Sequence, residues 1–309
     1  MNETSAKIAV LLCTYNGSRF LSSQLESLLN QTGVSSEIYA SDDGSTDQTL
    51  DILENAAKST ASALVDIRKG PGLGPSQNFL SLVCNEDIKA DYFAYSDQDD
   101  IWDADKLSRA TSALSECPDS QPALYCARTR SMSETGKIEG NSPLFKGRPS
   151  FANALVHNIG GGNTMVMNRS AIELLRRAGV AEVVSHDWWT YLLVSGAGGC
   201  VIYDPKPCLN YRQHAGNLIG ANTGITRRLA RYVGALKGSN RAWNDSNLRA
   251  LTLNSTMLTP ENQERLRVFE QSRNGSLYVR LRGISRAGLY AQSLSGNLGL
   301  FFASLLKKI

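Results

Sequence analysis

The chain reads as an α/β protein, a mixed and mainly parallel sheet flanked by helices, with a helical extension at its C-terminal end. Three observations predict this. Short apolar runs alternate with segments of helical periodicity over the first third of the chain, polar and acid-rich clusters stand directly after three of those runs, and helical patterning continues without strands from Ile225 onward.

Ile8 to Cys13 is unbroken apolar, as expected of a strand covered on both faces, and it stops abruptly at Thr14-Tyr15-Asn16-Gly17. Phe20, Leu21, Leu25, Leu28 and Leu29 then recur at helical spacing. Glu37 to Ala40 predicts a second strand, and Asp42-Asp43-Gly44 turns into a helix opened by the capping-box pattern Ser45-Thr46-Asp47-Gln48. Ala63 to Ile67 and Tyr92 to Tyr95 predict the third and fourth strands, Ser76 to Val83 and Asp105 to Leu114 two more helices. Such alternation implies a parallel sheet that binds ligands beyond the carboxyl ends of its strands, where all three polar clusters fall.

Beyond Asp119 the pattern loosens. Leu124 to Ala127 and Thr164 to Met167 predict strands, the second introduced by the turn Gly160-Gly161-Gly162, and Arg128 to Ser150 reads as a long surface loop. A helix is expected over Asp187 to Val194, then short extended pieces at Cys200 to Tyr203 and Leu209 to Tyr211. The expected organisation is a catalytic domain over residues 1–220 and a basic helical region over 221–309, with the boundary near Gly216 to Gly224.

With 42% hydrophobic and 20% charged residues, the composition excludes disorder, collagen-like repeats and a disulfide scaffold. The six cysteines form no C-x-x-C pair, and Cys13, Cys84 and Cys126 sit in apolar runs, which reads as reduced, buried thiols of a cytosolic protein. The apolar run near the N-terminus is too short for a signal-peptide core, so secretion is not expected. The net charge of +3 hides an asymmetry: from Gly224 to the end there are fourteen Lys and Arg against four Asp and Glu, leaving residues 1–223 acidic.

Asp97-Gln98-Asp99-Asp100 crowds three carboxylates at the end of a strand, where their repulsion invites a divalent cation such as Mg²⁺ or Mn²⁺, the partner of a diphosphate. Taken alone, an acidic turn or a helix cap explains the same residues. Asp42-Asp43 has the same placement: a carboxylate there can accept the imide N–H of a uracil or thymine, and Gly44 and Ser45 read equally as turn and cap. Thr14-Tyr15-Asn16 could stack on and hydrogen-bond the same base, or form an ordinary strand-to-helix turn.

The ordered series of apolar strand plus T-Y-N-G, then D-D-G-S-T-D, then D-Q-D-D-I-W resembles the family 2 inverting glycosyltransferases, of GT-A fold, over roughly residues 7–215. The resemblance implies that Thr14, Tyr15, Asn16 and one or both of Asp42 and Asp43 hold the nucleobase, that Asp97 lies near the ribose and donor sugar, and that Asp99 is a metal ligand. Asn78 stands where such enzymes touch the nucleotide, though a helix-surface Asn fits as well. His186-Asp187-Trp188-Trp189 resembles the family's acidic motif with His in its first place, and makes Asp187 the base that deprotonates the acceptor hydroxyl in a single inverting displacement; a helix N-cap is its bland alternative. Trp188, Trp189 and Gly161 are the candidates for contact with acceptor or sugar, against core packing for the two aromatics. In Tyr211-Arg212-Gln213-His214, His214 matches a late metal ligand and Arg212 a group gripping the leaving diphosphate.

The D-Q-D-D-I-W and Y-R-Q-H motifs are similar to those of enzymes that transfer L-rhamnose from dTDP-L-rhamnose to bacterial surface polysaccharides; a UDP-sugar transferase (GlcNAc, Gal or Glc) of the same fold is the alternative. The acceptor implied is a saccharide, lipid-linked in that setting. Arg227, Arg228, Arg231, Arg280, Arg282 and Arg286 interleave with apolar residues in the tail, which suits either an amphipathic helix on an anionic membrane at the inner face of the cytoplasmic membrane, or a helical lid or oligomer contact. No zinc-ligand pairing or recognition motif points to nucleic acid. A dinucleotide oxidoreductase is disfavoured because Gly70-Pro71-Gly72-Leu73-Gly74 spaces its glycines wrongly and follows the third strand, not the first. A nucleotidyltransferase lacks its Gly-rich, Arg-containing loop here. A non-catalytic sugar-binding protein of the same fold is the remaining rival, distinguished by releasing no nucleoside diphosphate.

Overall fold

The computed structural model describes residues 6–59, 64–214 and 239–309. Four parallel strands, β1 (Lys7–Thr14), β2 (Ser35–Asp42), β3 (Val65–Lys69) and β4 (Tyr92–Ser96), lie in the order β3-β2-β1-β4, with α1 (Leu21–Leu29), α2 (Thr49–Ser59) and α3 (Pro75–Cys84) in the crossovers. From Ile8 to Leu12 every side chain of β1 is inaccessible to solvent. Alternate residues feed two cores: Ala9 and Leu11 face one with α3, and Ile8, Val10 and Leu12 face the other with α1. Because β1 passes to β2 on one side and abuts β4 on the other, the sheet opens a crevice at the carboxyl end of β1, the place where doubly wound sheets take ligands.

The second half closes that crevice. The sheet continues from β4 through β8 (Val166–Asn168), β6 (Ala123–Ser133) and β9 (Cys200–Gln213) to the two-residue β5 (Ile101–Trp102), with β7 (Ile138–Asn141) paired to β6. Helix α4 (Lys106–Leu114) packs on β6, and α5 (Phe151–Ala154), α6 (Arg169–Ala178) and α7 (His186–Gly196) complete the layer.

Three expectations are corrected. Arg128 to Ser150 is not one loop: β6 runs on to Ser133 and turns into β7. The two extended pieces after residue 199 are one strand, whose Pro205 and Pro207 are accommodated where its register against β6 shifts beside Arg128. Cys117 and Cys200 form a disulfide, because the end of α4 and the start of β9 bring their Cα atoms to 6.5 Å. Cys13, Cys84, Cys126 and Cys208 are free, as expected, but the argument for a reducing compartment loses its basis in six thiols.

Four helices end the chain: α8 (Ser239–Leu253), α9 (Pro260–Arg273), α10 (Leu277–Arg286) and α11 (Leu294–Leu305). Leu248, Leu251, Leu258, Leu266 and Phe269 belong to the same apolar cluster as β1, β4 and α7. Polar bonds reinforce the contact, as Thr259 N donates to Gly196 O at 3.0 Å and Asn153 Nδ2 to Tyr290 O at 2.8 Å. The expected boundary near Gly216 to Gly224, with Arg227, Arg228 and Arg231, lies outside the described residues. No helix among the described residues is long and apolar enough to cross a membrane.

Candidate active site

The polar clusters at the ends of β1, β2 and β4 are tied to one another by side chain to backbone bonds. Asp42 ends β2 and is buried; its Oδ1 accepts from Thr14 Oγ1 at 2.8 Å and Ser45 Oγ at 2.6 Å, its Oδ2 from the backbone of Gly44 at 3.2 Å and Ser45 at 2.8 Å. Those four bonds fill the acceptor capacity of a carboxylate. Asp43 next to it accepts two, from the backbone N–H groups of Gly72 at 2.7 Å and Gly74 at 2.8 Å, and is half-buried, so it retains acceptor capacity facing outward. Gly70 must be glycine here, since a Cβ would stand 2.7 Å from Asp43 Oδ1.

Two residues expected to touch the nucleotide also brace the scaffold. Asn16, at a φ of 46°, donates its N–H to Ser45 Oγ and accepts from Thr46 N, each at 2.8 Å, fastening the first loop to the second. Asn78 is neither on the helix surface nor free: buried in α3, it accepts from Ser41 Oγ at 2.5 Å and donates to Ser41 O at 2.9 Å. Tyr15, by contrast, leaves its side chain 58% exposed over the crevice mouth while its backbone is held by Gln98, which accepts from Tyr15 N at 2.8 Å and donates to Tyr15 O at 3.0 Å. Gln98 was not singled out from sequence; its position between two acids was the available signal.

In the third cluster each acid has a distinct environment. Asp99 lies 2.6 Å from His214 Nε2. Asp100 is buried, accepting from Asn163 Nδ2 at 2.5 Å and from Arg212 N at 3.2 Å, and burial followed by the charges of Asp99 and Asp97 raises its pKa. Asp97 is pushed up to about 7 by burial, then by Asp99 and Asp187, against the pull of Lys106. Lys106 was also missed: it is fully buried, donates to Asn163 O at 2.7 Å and sits 2.8 Å from the centroid of the Trp102 ring. Burial brings its pKa down to about 7. It is a buried cation serving an acidic cluster, and a lone Lys at the start of a helix carries no sequence signal of that. Arg212 donates from Nε to Asp99 O at 3.0 Å, with its guanidinium 4.6 Å from the centroid of Phe20, a ring that also meets the His214 ring and the Arg19 guanidinium.

Asp187 occupies the first turn of α7, behind Ser185 as the capping residue. Its Oδ1 accepts from Trp188 N at 2.6 Å and from Ser185 Oγ, and among the described residues its Oδ2 accepts only from Gly162 N at 3.1 Å. His186 stacks on Phe79 at 3.9 Å and meets the Tyr95 edge at 4.7 Å, and burial lowers its pKa to about 4. Gly162 is glycine because a Cβ there would approach His186 Nε2 to 2.3 Å; Gly161, one residue earlier, is exposed. Of the paired tryptophans, Trp189 is wholly buried in the core and presents no face to a ligand, whereas Trp188 is partly exposed and donates from Nε1 to Ala154 O at 2.7 Å.

The clusters therefore converge: Asp97 senses both Asp99 and Asp187, and the thiol of Cys13 in β1 is raised by burial and then by Asp97 and Asp43. Among the described residues no three His, Cys, Asp or Glu side chains gather as a metal cage. The donor set is the pair Asp99 and His214, with the carboxylates of Asp97 and Asp100 beside it, which fits a hard divalent ion that completes its shell with diphosphate oxygens and water.

Comparison with known proteins agrees with this architecture. The glycosyl transferase family 2 profile matches residues 9–175. The dTDP-rhamnosyl transferase RfbG of Shigella flexneri is 29% identical over 235 residues, covering 71% of this chain and 77% of its own. An uncharacterized glycosyltransferase of Haemophilus influenzae is 26% identical over 226 residues, covering 69% of this chain and 67% of its own. Among solved structures, S. aureus TarS in complex with UDP-GlcNAc superposes with a TM-score of 0.54 at 16% identity, covering 92% of this chain and 93% of that one. The mannosyltransferase PcManGT of Pyrobaculum calidifontis, with GDP-Man and Mn²⁺, gives 0.54 at 17% identity, covering 99% and 86%. Sheet order, crevice and profile together lead to one conclusion: the chain belongs to glycosyl transferase family 2 and has the GT-A fold.

Proposed function

We propose that the chain transfers L-rhamnose from dTDP-L-rhamnose, with inversion, to a hydroxyl of a growing, lipid-linked bacterial surface polysaccharide at the cytoplasmic face of the membrane. The observation that carries the transferase reading is the convergence of Asp97, Asp99 and Asp187 at the strand-end crevice. The similarity to RfbG supports the choice of donor.

The thymine sits by the exposed Tyr15, with Asp43 accepting its imide N–H; Asp42, saturated by protein donors, holds the loop in shape. Thr14 acts through Asp42, and Asn16 and Asn78 act as struts. Asp97 faces the ribose and donor sugar. Asp99 and His214 would hold Mn²⁺ or Mg²⁺, which supplies positive charge against the diphosphate when bound. Arg212, fixed by Asp99 O and Phe20, adds a second cation on the leaving-group side. Asp187 takes the acceptor proton on Oδ2, the oxygen with spare acceptor capacity, as the hydroxyl oxygen attacks the anomeric carbon from the face opposite the diphosphate. Trp188 and the open backbone at Gly161 border the acceptor side.

Thermal stabilisation by dTDP, UDP and GDP, each with Mn²⁺ or Mg²⁺, tests the donor assignment. Preference for dTDP is expected; preference for UDP would move the donor to UDP-GlcNAc, UDP-Gal or UDP-Glc. Release of nucleoside diphosphate from the preferred donor separates an enzyme from a binding protein, which would release none.

A further inference from the structure

We propose that α11 and the first turn of α10 form a docking surface for an anionic lipid bilayer. In α11, Leu294, Leu298, Phe301 and Phe302 are 90, 59, 45 and 50% exposed. At about 100° per residue these four positions share one stripe about 100° wide. Leu300 and Ala303, on the opposite side of the helix, pack against the core, so the stripe faces away from the protein. Arg280 joins the two helices, donating from Nε to Ser304 O at 2.7 Å and from Nη2 to Leu305 O at 3.2 Å. Tyr278 and Val279, in the first turn of α10, are exposed as well.

Charge selects the occupant. Residues 274–309 contain five Lys and Arg and no Asp or Glu. Arg280 is consumed by the helix contact and Arg286 is paired with Glu264 at 3.5 Å, while Arg282 and Lys307 remain at the surface. An apolar stripe in a segment whose charged side chains are all cationic matches the acyl boundary and headgroups of an anionic leaflet. A two-fold pairing of this face with a second copy would set the same cations against each other with no carboxylate from the segment to offset them. The twelve residues of α11 are far shorter than the roughly 20 needed to span a bilayer, so the helix lies on the surface.

The face is also connected to the acceptor side of the site. Tyr290, between α10 and α11, bonds to Ser150 Oγ at 2.9 Å and accepts from Asn153 Nδ2 at 2.8 Å, and the adjacent Ala154 O accepts from Nε1 of Trp188, the neighbour of Asp187. Docking would thus present the base to an acceptor held at the membrane; this orientation rests on the transferase reading, whereas docking itself does not.

Co-sedimentation of the full chain with vesicles of phosphatidylcholine alone, and of phosphatidylcholine mixed with phosphatidylglycerol, tests the proposal. Binding to the mixed vesicles that weakens as salt is raised is expected. The double substitution Phe301→Ser and Phe302→Ser should reduce it by roughly ten-fold or more, and Arg282→Gln or Lys307→Gln by about five-fold each. Absence of vesicle binding, equal binding to the neutral vesicles, or full binding by the double variant would overturn the proposal. So would sedimentation velocity showing a dimer that the double variant dissociates while lipid is ignored, which assigns the face to a second copy. Donor hydrolysis measured without vesicles is expected to be unchanged in every variant, so loss of docking and failure of the transferase reading give separate signals.

Discussion

Asp187 sits where a general base is needed and is held by donors that leave one oxygen underused. Asp187→Asn keeps the shape and the acceptor oxygen but cannot take a proton, so turnover should fall by about 10²- to 10⁴-fold. Donor affinity should barely change. Transfer at the wild-type rate with saturating donor would remove Asp187 from the base role. Asp99 and His214 make a different prediction, because each supplies one bond to an ion otherwise held by diphosphate and water. Exhaustive chelation should abolish transfer, with Mn²⁺ restoring it, and His214→Ala should raise the Mn²⁺ concentration for half-activation by roughly ten- to hundred-fold. Activity indifferent to chelation would mean that Arg212 and backbone groups neutralise the leaving diphosphate without a metal.

The first turn of α7 illustrates how an element imposes environments on neighbouring residues: Asp187 points to the crevice, whereas His186 is clamped between Phe79, Tyr95 and Gly162. Burial lowers the His186 pKa to about 4, below the ordinary value of 6.5 and despite the opposing effect of the Asp187 charge. Between those values the unfolded chain binds a proton that the folded chain refuses. Stability from this residue is therefore complete above about pH 6.5, declines as pH falls towards 4, and levels off below; the full loss is about 3 kcal/mol. Chemical denaturation of wild type and His186→Gln from pH 7 to 4 should show wild type losing that much more, and parallel curves would refute the assignment. The same elements explain what was legible in the sequence. β1 to β4 could be read because continuous apolar runs stop at polar clusters, and β1 buries both faces. β6 beyond Ala127 could not, since Arg128 to Arg130 are half-buried where the register shifts. Pro205 and Pro207 likewise disguised β9 as two pieces. At the site, the residue types and their order identified the acidic clusters, but pairings such as Thr14 with Asp42 or Asn78 with Ser41 span 28 to 37 residues and depend on strand order. Nothing in the sequence therefore reports the bonds by which Asn16 and Asn78 brace the scaffold. Lys106 and Trp189 show the converse, since burial decides their roles and neither periodicity nor motif reports it.

At the scale of the molecule, the charge asymmetry suggests a catalytic domain with a detachable tail, whereas packing joins them. Leu248, Leu251, Leu258, Leu266, Phe269, Leu289 and Ile309 all lie in the cluster that includes β1, β4 and α7. At about 2 kcal/mol for each buried apolar side chain, their removal costs roughly 14 kcal/mol, comparable with the whole net stability of a typical domain. The loss would also uncover Gly196 of α7, the helix that carries Asp187, where Leu258 packs closely, and leave Asn153 without its bond to Tyr290 O. Truncation after residue 238 should therefore not yield a soluble transferase of lower activity. It should yield a chain without cooperative unfolding, and the full protein should melt in a single calorimetric transition whose van't Hoff and calorimetric enthalpies agree. Two resolved transitions, or a truncated chain that melts cooperatively and still hydrolyses donor, would show that the helical region is an independent unit and that the shared core contributes little to holding the base in position.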